Sequence, residues 1–155
     1  MESRVGRSAP RREAGEGEGV AVVAYMLVCC GDRWLALRRA TDRNKWPGLW
    51  EVPGGHSKPG EQPSEAARRE CLEETGLDLE PTKLLYSADE PDMFGTGQTY
   101  SVRVFEANLR TPIDRAVVKL NKEHDAYQWL TTDDLPGPPA PVLQSIRSAR
   151  KEVTA

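Results

Sequence analysis

Glu70, Glu73 and Glu74 are the residues whose types and spacing point most directly to chemistry. At i, i+3 and i+4 of a helix, their three carboxylates project from one face. Like charges at these spacings destabilise a helix by roughly 0.2 to 0.5 kcal/mol per pair, so the helix itself gains nothing from them. A hard divalent cation relieves the repulsion. Mg²⁺ takes oxygen ligands, keeps several of its waters, and is commonly shared between a few carboxylates and the phosphates of a substrate. Metal in that position neutralises phosphate charge and lowers the pKa of a bound water, while a carboxylate takes the proton. Ala66 and Ala67 lie beside this face on the helical wheel and, being small, are expected to leave room for hydrated metal and ligand.

The elements that must position these carboxylates are a glycine-rich loop, Gly54 to Glu61, and the short helix it feeds. Pro63 suits the first helical turn, where a missing N–H costs nothing, with Ser64 as an alternative cap, and Gly76 closes the helix in the left-handed conformation. The helix is therefore predicted from about Pro63 to Thr75. A run of glutamates is ordinarily a solvated helix face, and the spacing of the whole segment argues against that here. Gly55, five residues, Glu61, seven residues, Arg69-Glu70, Cys71, one residue, Glu73-Glu74, one residue, Gly76 and Leu77 resemble, position for position, the signature of the Nudix hydrolases. The resemblance implies an enzyme that cuts the phosphoanhydride of a nucleoside diphosphate linked to another moiety, using water and Mg²⁺ or Mn²⁺. It implies Glu70, Glu73 and Glu74 as metal ligands, with the Gly55 carbonyl as a further candidate. Glu61 and Arg69 are implied as a brace between loop and helix, the arginine fork holding a carboxylate bidentately. The implied fold is α/β, the Nudix α/β/α sandwich, with a mixed sheet between helices and a catalytic loop–helix–loop, over residues 20–151.

Composition sets wider bounds. At 155 residues the chain suits one domain with a single core. Twenty-one basic and 24 acidic residues give a net charge of −3, without the basic stripe of a dedicated nucleic-acid binder. A small nucleotide is the expected partner, and the chain is expected as a monomer or homodimer. The longest apolar run, Val20 to Cys30, is too short to span a bilayer, which needs about 20 residues. Cys29, Cys30 and Cys71 are odd in number and two are adjacent, so they form no disulfide framework and suggest a reducing, cytoplasmic setting. Residues 1–19 hold little to bury and mix arginine with glutamate, so a disordered tail is expected there rather than a targeting segment.

Val20 to Cys30 reads as a strand buried on both faces, turning at Gly31-Asp32 into a second strand, Arg33 to Arg39. Leu-Arg-Arg-Ala, a polar loop, and then Trp50-Glu51-Val52-Pro53-Gly54-Gly55 resemble the MutT type of Nudix protein, whose second arginine touches substrate. That implies Arg39, with Arg38 behind it, as a substrate-binding residue. Trp46 and Trp50 are candidates for stacking on a base. A strand is expected at Leu49 to Val52, another at Lys83 to Ser87, a loop from Asp89 to Asp92, and a long strand from Gln98 to Leu109. Pro91 stands where some ADP-ribose-hydrolysing members carry a proline. Glu123, just ahead of a last strand at Ala126 to Leu130, resembles an extra metal ligand or general base; Tyr127 and Trp129 are expected to pack inward. A terminal helix is expected from Pro141 to Lys151. The general base stays open among Glu70, Glu73 and Glu123. Gly137-Pro138-Pro139-Ala140 lacks the asparagine with which the MutT type reads guanine, which argues against oxidised guanine as substrate. A (deoxy)nucleoside triphosphate pyrophosphohydrolase is the leading reading. Hydrolysis of ADP-ribose, another nucleotide sugar or a dinucleoside polyphosphate is the second, and a non-catalytic nucleotide sensor the third.

Overall fold

Strand β1, Ala21–Cys30, is apolar at almost every position because it is covered on both faces. Val23, Tyr25 and Leu27 point into one core layer and Ala24, Met26 and Val28 into the other. The computed structural model of the chain describes residues 20–91, 95–131 and 134–154; the tail expected at 1–19 lies outside the described residues. After β1 come β2 (Arg33–Arg39), β3 (Trp50–Glu51), β4 (Gly54–His56), helix α1 (Pro63–Thr75), β5 (Lys83–Pro91), β6 (Thr99–Asn108), β7 (His124–Leu130) and helix α2 (Pro141–Thr154). Among the described residues no helix is long and apolar enough to cross a membrane.

The strands form one sheet in the order β3-β2-β1-β6-β5, with β4 also paired to β1 and β7 to β2. β1 and β6 run parallel, from Ala21 beside Tyr100 to Cys29 beside Asn108, and the other ladders are antiparallel. This is the mixed sheet between helices that the sequence predicts. The β1–β2 hairpin pairs only beside its turn, Cys29 with Trp34 and Cys30 with Arg33. Beyond that point β1 takes β4 as its neighbour and β2 takes β3 and β7, so the two strands part, and residues of both, Val23 and Tyr25 of β1 and Arg39 of β2, line one pocket.

On one side of the sheet, α1 lays Ala66, Ala67 and Cys71 against Ala24, Met26 and Val28. The two alanines are fully buried, which corrects the expectation that they make room for a ligand: their small size lets the helix backbone approach the sheet. On the other side, α2 buries Val142, Leu143 and Ile146.

Two further expectations are revised. β5 continues through Asp89, Glu90 and Pro91, which pair with Ser101, Tyr100 and Thr99, where a loop had been expected. An edge strand tolerates a proline because its outward N–H has no ladder partner to lose. Tyr127 is 40% exposed instead of inward, whereas Trp129 is partly buried against the α1-side core. Tyr127 sits on β7, while α1 packs on β1, β4 and β6, so the cover stops short of it.

Candidate functional site

The loop entering α1 depends on two close approaches. A Cβ on Gly54 would stand 2.5 Å from the Ala24 carbonyl oxygen and 2.4 Å from the Tyr25 ring, because β4 lies directly along β1. A Cβ on Gly55 would stand 2.5 Å from the carboxyl carbon of Glu70. Gly54 therefore excludes a side chain against backbone, whereas a side chain at Gly55 would require the Glu70 carboxylate to move. α1 begins at Pro63 behind an extended Gln62, whose N–H donates to the Glu65 carboxylate at 3.0 Å; Ser64 is not the cap. It ends at Gly76 with φ of 78°, the left-handed closure that glycine adopts without penalty.

Arg69 ties this wall together. Its Nε and Nη2 donate to the two oxygens of Glu61 at 2.8 and 3.0 Å, its Nη2 to the His56 carbonyl at 3.1 Å, and its Nη1 to Glu70 at 2.9 Å and Glu73 at 3.3 Å. The paired hydrogen bonds from Arg69 hold the Glu61 carboxyl below its ordinary pKa, and the same contact with Glu61 leads the rise in that of Arg69. Glu74 is 1% exposed and accepts the Gly54 N–H at 3.1 Å. Burial first, then the nearby charges of Glu51, Glu123 and Glu70, push its carboxyl well above the usual carboxylate range.

The facing wall comes from elsewhere in the chain. The β2–β7 ladder slips between Arg38 and Arg39, a bulge that re-aims a side chain and brings His124 opposite Arg39. Arg39 Nε donates to the Lys45 carbonyl at 2.7 Å, Nη1 donates to Glu51 at 3.1 Å, and the guanidinium lies 5.8 Å from the centre of the Trp46 ring. Trp46 holds a left-handed φ of 49°, uncommon for a bulky residue. On the far side of Glu51, the buried His124 sits with Nε2 at 2.6 Å. Between the walls opens a pocket of about 340 Å³. Its lining includes Arg39, Arg43, Lys45 and Trp46, the acids Glu51 and Glu123, the loop residues Gly54, Gly55 and His56, and Tyr100.

Of the residues singled out from the sequence, Gly55, Glu123, Arg39 and Trp46 line the pocket, while Glu70 and Glu74 abut its Gly54–Gly55 side. Glu73 is half exposed, and Glu61 and Arg69 stand behind the loop. Arg38 is not part of this group: its Nε donates to Asp125 at 2.7 Å at the surface. Trp50 is buried in the core rather than offered to a base, and Pro91 is exposed at the end of β5, away from the pocket lining. Arg43, Lys45, Glu51 and His124 were not anticipated. Glu51 carried one readable signal, an acid inside the apolar run Leu49-Trp50-Glu51-Val52, since a buried carboxylate needs a partner.

Among the described residues, no three carboxylate, imidazole or thiol groups stand close enough together to hold a metal ion. Glu70 and Glu73 are turned onto Arg69, and Glu74 onto the Gly54 amide. The donor chemistry nevertheless fits a hard cation. Glu51, Glu123 and Glu70 are near enough to Glu74 to raise its pKa, and every donor of the four is an oxygen. Cys71, the nearest thiol in sequence, faces the core, where burial pushes its pKa up to about 11.

On this α/β sandwich, a pocket lined by Arg39, Arg43 and Lys45 also borders a glycine loop that abuts a glutamate-bearing helix. Residues 18–153 match the family described as NUDIX domain, and the chain belongs to that family, as a MutT-like pyrophosphohydrolase. The nucleoside triphosphatase NudI of Escherichia coli K12 is 32% identical over 106 residues, which cover 66% of this chain and 75% of that protein. An octanoyltransferase of Myxococcus xanthus is 35% identical over 130 residues, 79% of this chain, and the matched part is 32% of that longer protein. Among solved structures, a MutT NUDIX hydrolase from Burkholderia pseudomallei superposes with a TM-score of 0.72 at 26% identity, covering 85% of this chain and 98% of that one.

Proposed function

We propose that this chain hydrolyses the phosphoanhydride of a (deoxy)nucleoside triphosphate, with Mg²⁺ or Mn²⁺ as cofactor. The observation that carries the reading is that Arg39, Arg43 and Lys45, three cations, line the same pocket as Glu123 and as the Gly54–Gly55 loop against which Glu74 and Glu70 of the helix lie. A triphosphate lying between them meets donors along its outer oxygens and carboxylates at the bond to be cut. The name of the E. coli relative, nucleoside triphosphatase, supports the same substrate class. Three free thiols fit a reducing, cytoplasmic setting.

Glu70, Glu73, Glu74, Glu123 and the Gly55 carbonyl are the oxygens proposed to hold the cation. Bound there, it would neutralise charge on the diphosphate and lower the pKa of a coordinated water. The chain's own part is positioning and proton handling. Arg69 releases or retains Glu70 and Glu73 as the local charge changes, and Glu61 keeps Arg69 in reach. Glu74, enclosed and tied to the Gly54 amide, suits a ligand better than a base. Glu70 or Glu73, with Glu123 behind them, is the group to take the proton. Trp46, stacked near Arg39, offers an aromatic face to the base.

Release of phosphate or pyrophosphate from a panel of (d)NTPs, oxidised dGTP, dinucleoside polyphosphates, ADP-ribose and other nucleotide sugars tests this, with Mg²⁺ or Mn²⁺ present. Turnover of (d)NTPs, lost in Glu73→Gln and Glu74→Gln, is the expected result. Turnover confined to nucleotide sugars or dinucleotides would move the substrate class. Nucleotide binding without turnover of any member would replace the enzyme by a sensor.

A further inference from the structure

The hydrolysis reading leaves one buried pair without a task. The Glu51 carboxylate, 4% exposed, accepts Arg39 Nη1–H at 3.1 Å, and the same oxygen lies 2.6 Å from His124 Nε2. A carboxylate oxygen that accepts the arginine N–H is an acceptor towards the imidazole as well, so the imidazole donates through Nε2–H. The His124 ring is wholly enclosed, and its Nδ1 has no hydrogen-bond partner among the described residues, so Glu51 is the ring's polar anchor. Each of the three residues sits on a different strand. β3 supplies Glu51, β2 supplies Arg39 at its bulge, and β7 supplies His124 as its first residue. The strand ends are also tied through the backbone, since the Ala40 N–H donates to the Glu123 carbonyl at 2.9 Å.

We propose that His124 is a positioning residue of the pocket: by donating to Glu51 it fixes the carboxylate that holds the Arg39 guanidinium against the substrate's phosphates. A carboxylate with one partner is free to turn about its last side-chain bond. A second donor from a ring packed on all sides removes that freedom, as outer ligands do when they orient the groups that bind. Arg39 is then held at two points, Nη1 by Glu51 and Nε by the Lys45 carbonyl, with its guanidinium over the Trp46 ring, which leaves Nη2 for the pocket. The inference rests on the reading of Arg39 as a phosphate-binding group and adds to it the element that sets its orientation.

The test compares His124→Phe, which keeps an aromatic volume without the donor, with His124→Gln, whose side-chain N–H still reaches Glu51. It uses the full chain and two readouts: steady-state kinetics on the nucleoside triphosphate, and the Arg39 Nε–H resonance followed by ¹⁵N NMR, assigned with Arg39→Gln. His124→Phe is expected to raise KM by about tenfold while kcat stays near wild type, and to shift or broaden the Arg39 resonance. His124→Gln is expected to keep both near wild type. A purely structural role would lower the melting temperature of both variants and leave KM and the resonance alone. Wild-type KM with an unmoved resonance in His124→Phe would overturn the proposal, as would equal impairment of the two variants. If His124→Phe fails to fold, Glu51→Gln takes its place, with the same rise in KM expected and an unmoved resonance again decisive against. If wild type turns over no nucleotide, it is the hydrolase reading that has failed, and the Arg39 resonance still decides on the positioning.

Discussion

The two walls of the pocket are arranged as charge inverses. On the helix side one guanidinium, Arg69, stands among Glu61, Glu70 and Glu73; on the loop side one carboxylate, Glu51, stands between Arg39 and His124. They also differ in enclosure. The Arg69 side chain is 21% exposed and its partner Glu73 is 50% exposed, whereas Glu51 and His124 are 5% and 0%. Partly solvated ion pairs are worth little each and exchange partners readily. A buried pair is costly to break because it leaves a charge without compensation. On that difference the Arg69 group is expected to regroup around an incoming charge and the Glu51 group to keep its shape. Damage to the first should appear in kcat and damage to the second in KM.

The most severe way to strain that division is Gly55→Ala. The new Cβ would lie 2.5 Å from the Glu70 carboxyl carbon, and the side chain must swing away from its place beside the loop. A displacement of about an ångström at a reacting centre costs on the order of 10²-fold, so kcat should fall by that order with KM little changed. Steady-state kinetics decide it, and an unchanged kcat would remove Glu70 from the chemistry.

Arg43→Gln addresses the other wall with a smaller expected effect. Arg43 lines the pocket, and its Nε is buried with no partner among the described residues, so its guanidinium is an unsatisfied cation at the pocket's edge. Losing one charge-assisted contact at a pocket mouth should raise KM about three- to tenfold and leave kcat alone. A fall in kcat instead would mean that the loop wall takes part in the chemical step and that the division above is wrong.

The same contrast explains what could be read in advance. Every partner of Arg69 lies within 13 residues of it, so the helical period and the loop spacing were enough to bring Glu61, Arg69 and Glu70 together on paper. Glu51 and His124 are 73 residues apart and meet only because β3 and β7 both pair with β2, and the meeting also requires the bulge after Arg38. No local pattern encodes a register slip. The mixed sheet and both helices were legible from periodicity and from resemblance, and β5 was cut short because a proline in an acidic stretch resembles a loop until its partner strand is known. Tyr127 misled for a related reason: alternation assigns it a side of the sheet, but whether a helix covers that side is a tertiary fact.

The smallest effect expected separates two glutamates within the helix wall itself. The hydrogen bonds from Arg69 hold the folded Glu61 pKa below its unfolded value, so the native state binds fewer protons than the unfolded chain in the carboxylate range. The stabilisation is present above the unfolded value and is lost as pH falls through the folded one. Glu61→Gln should therefore lower the melting temperature at neutral pH, and the gap from wild type should close in acid. Because both side chains are partly solvated, at 16% and 21%, the loss at neutral pH should be under about 1 kcal/mol. Glu74 runs the opposite way. Burial raises its folded pKa, so its contribution is complete below the unfolded value and is lost as pH rises through the folded one. Without divalent cation, Glu74→Gln should accordingly leave acid stability unchanged and raise stability at neutral pH. Thermal melts of the two variants across the acid limb check both signs. A Glu61→Gln gap that persists in acid would make the brace a matter of packing, and a Glu74→Gln variant no more stable than wild type at neutral pH would mean that the Gly54 amide already compensates the buried charge.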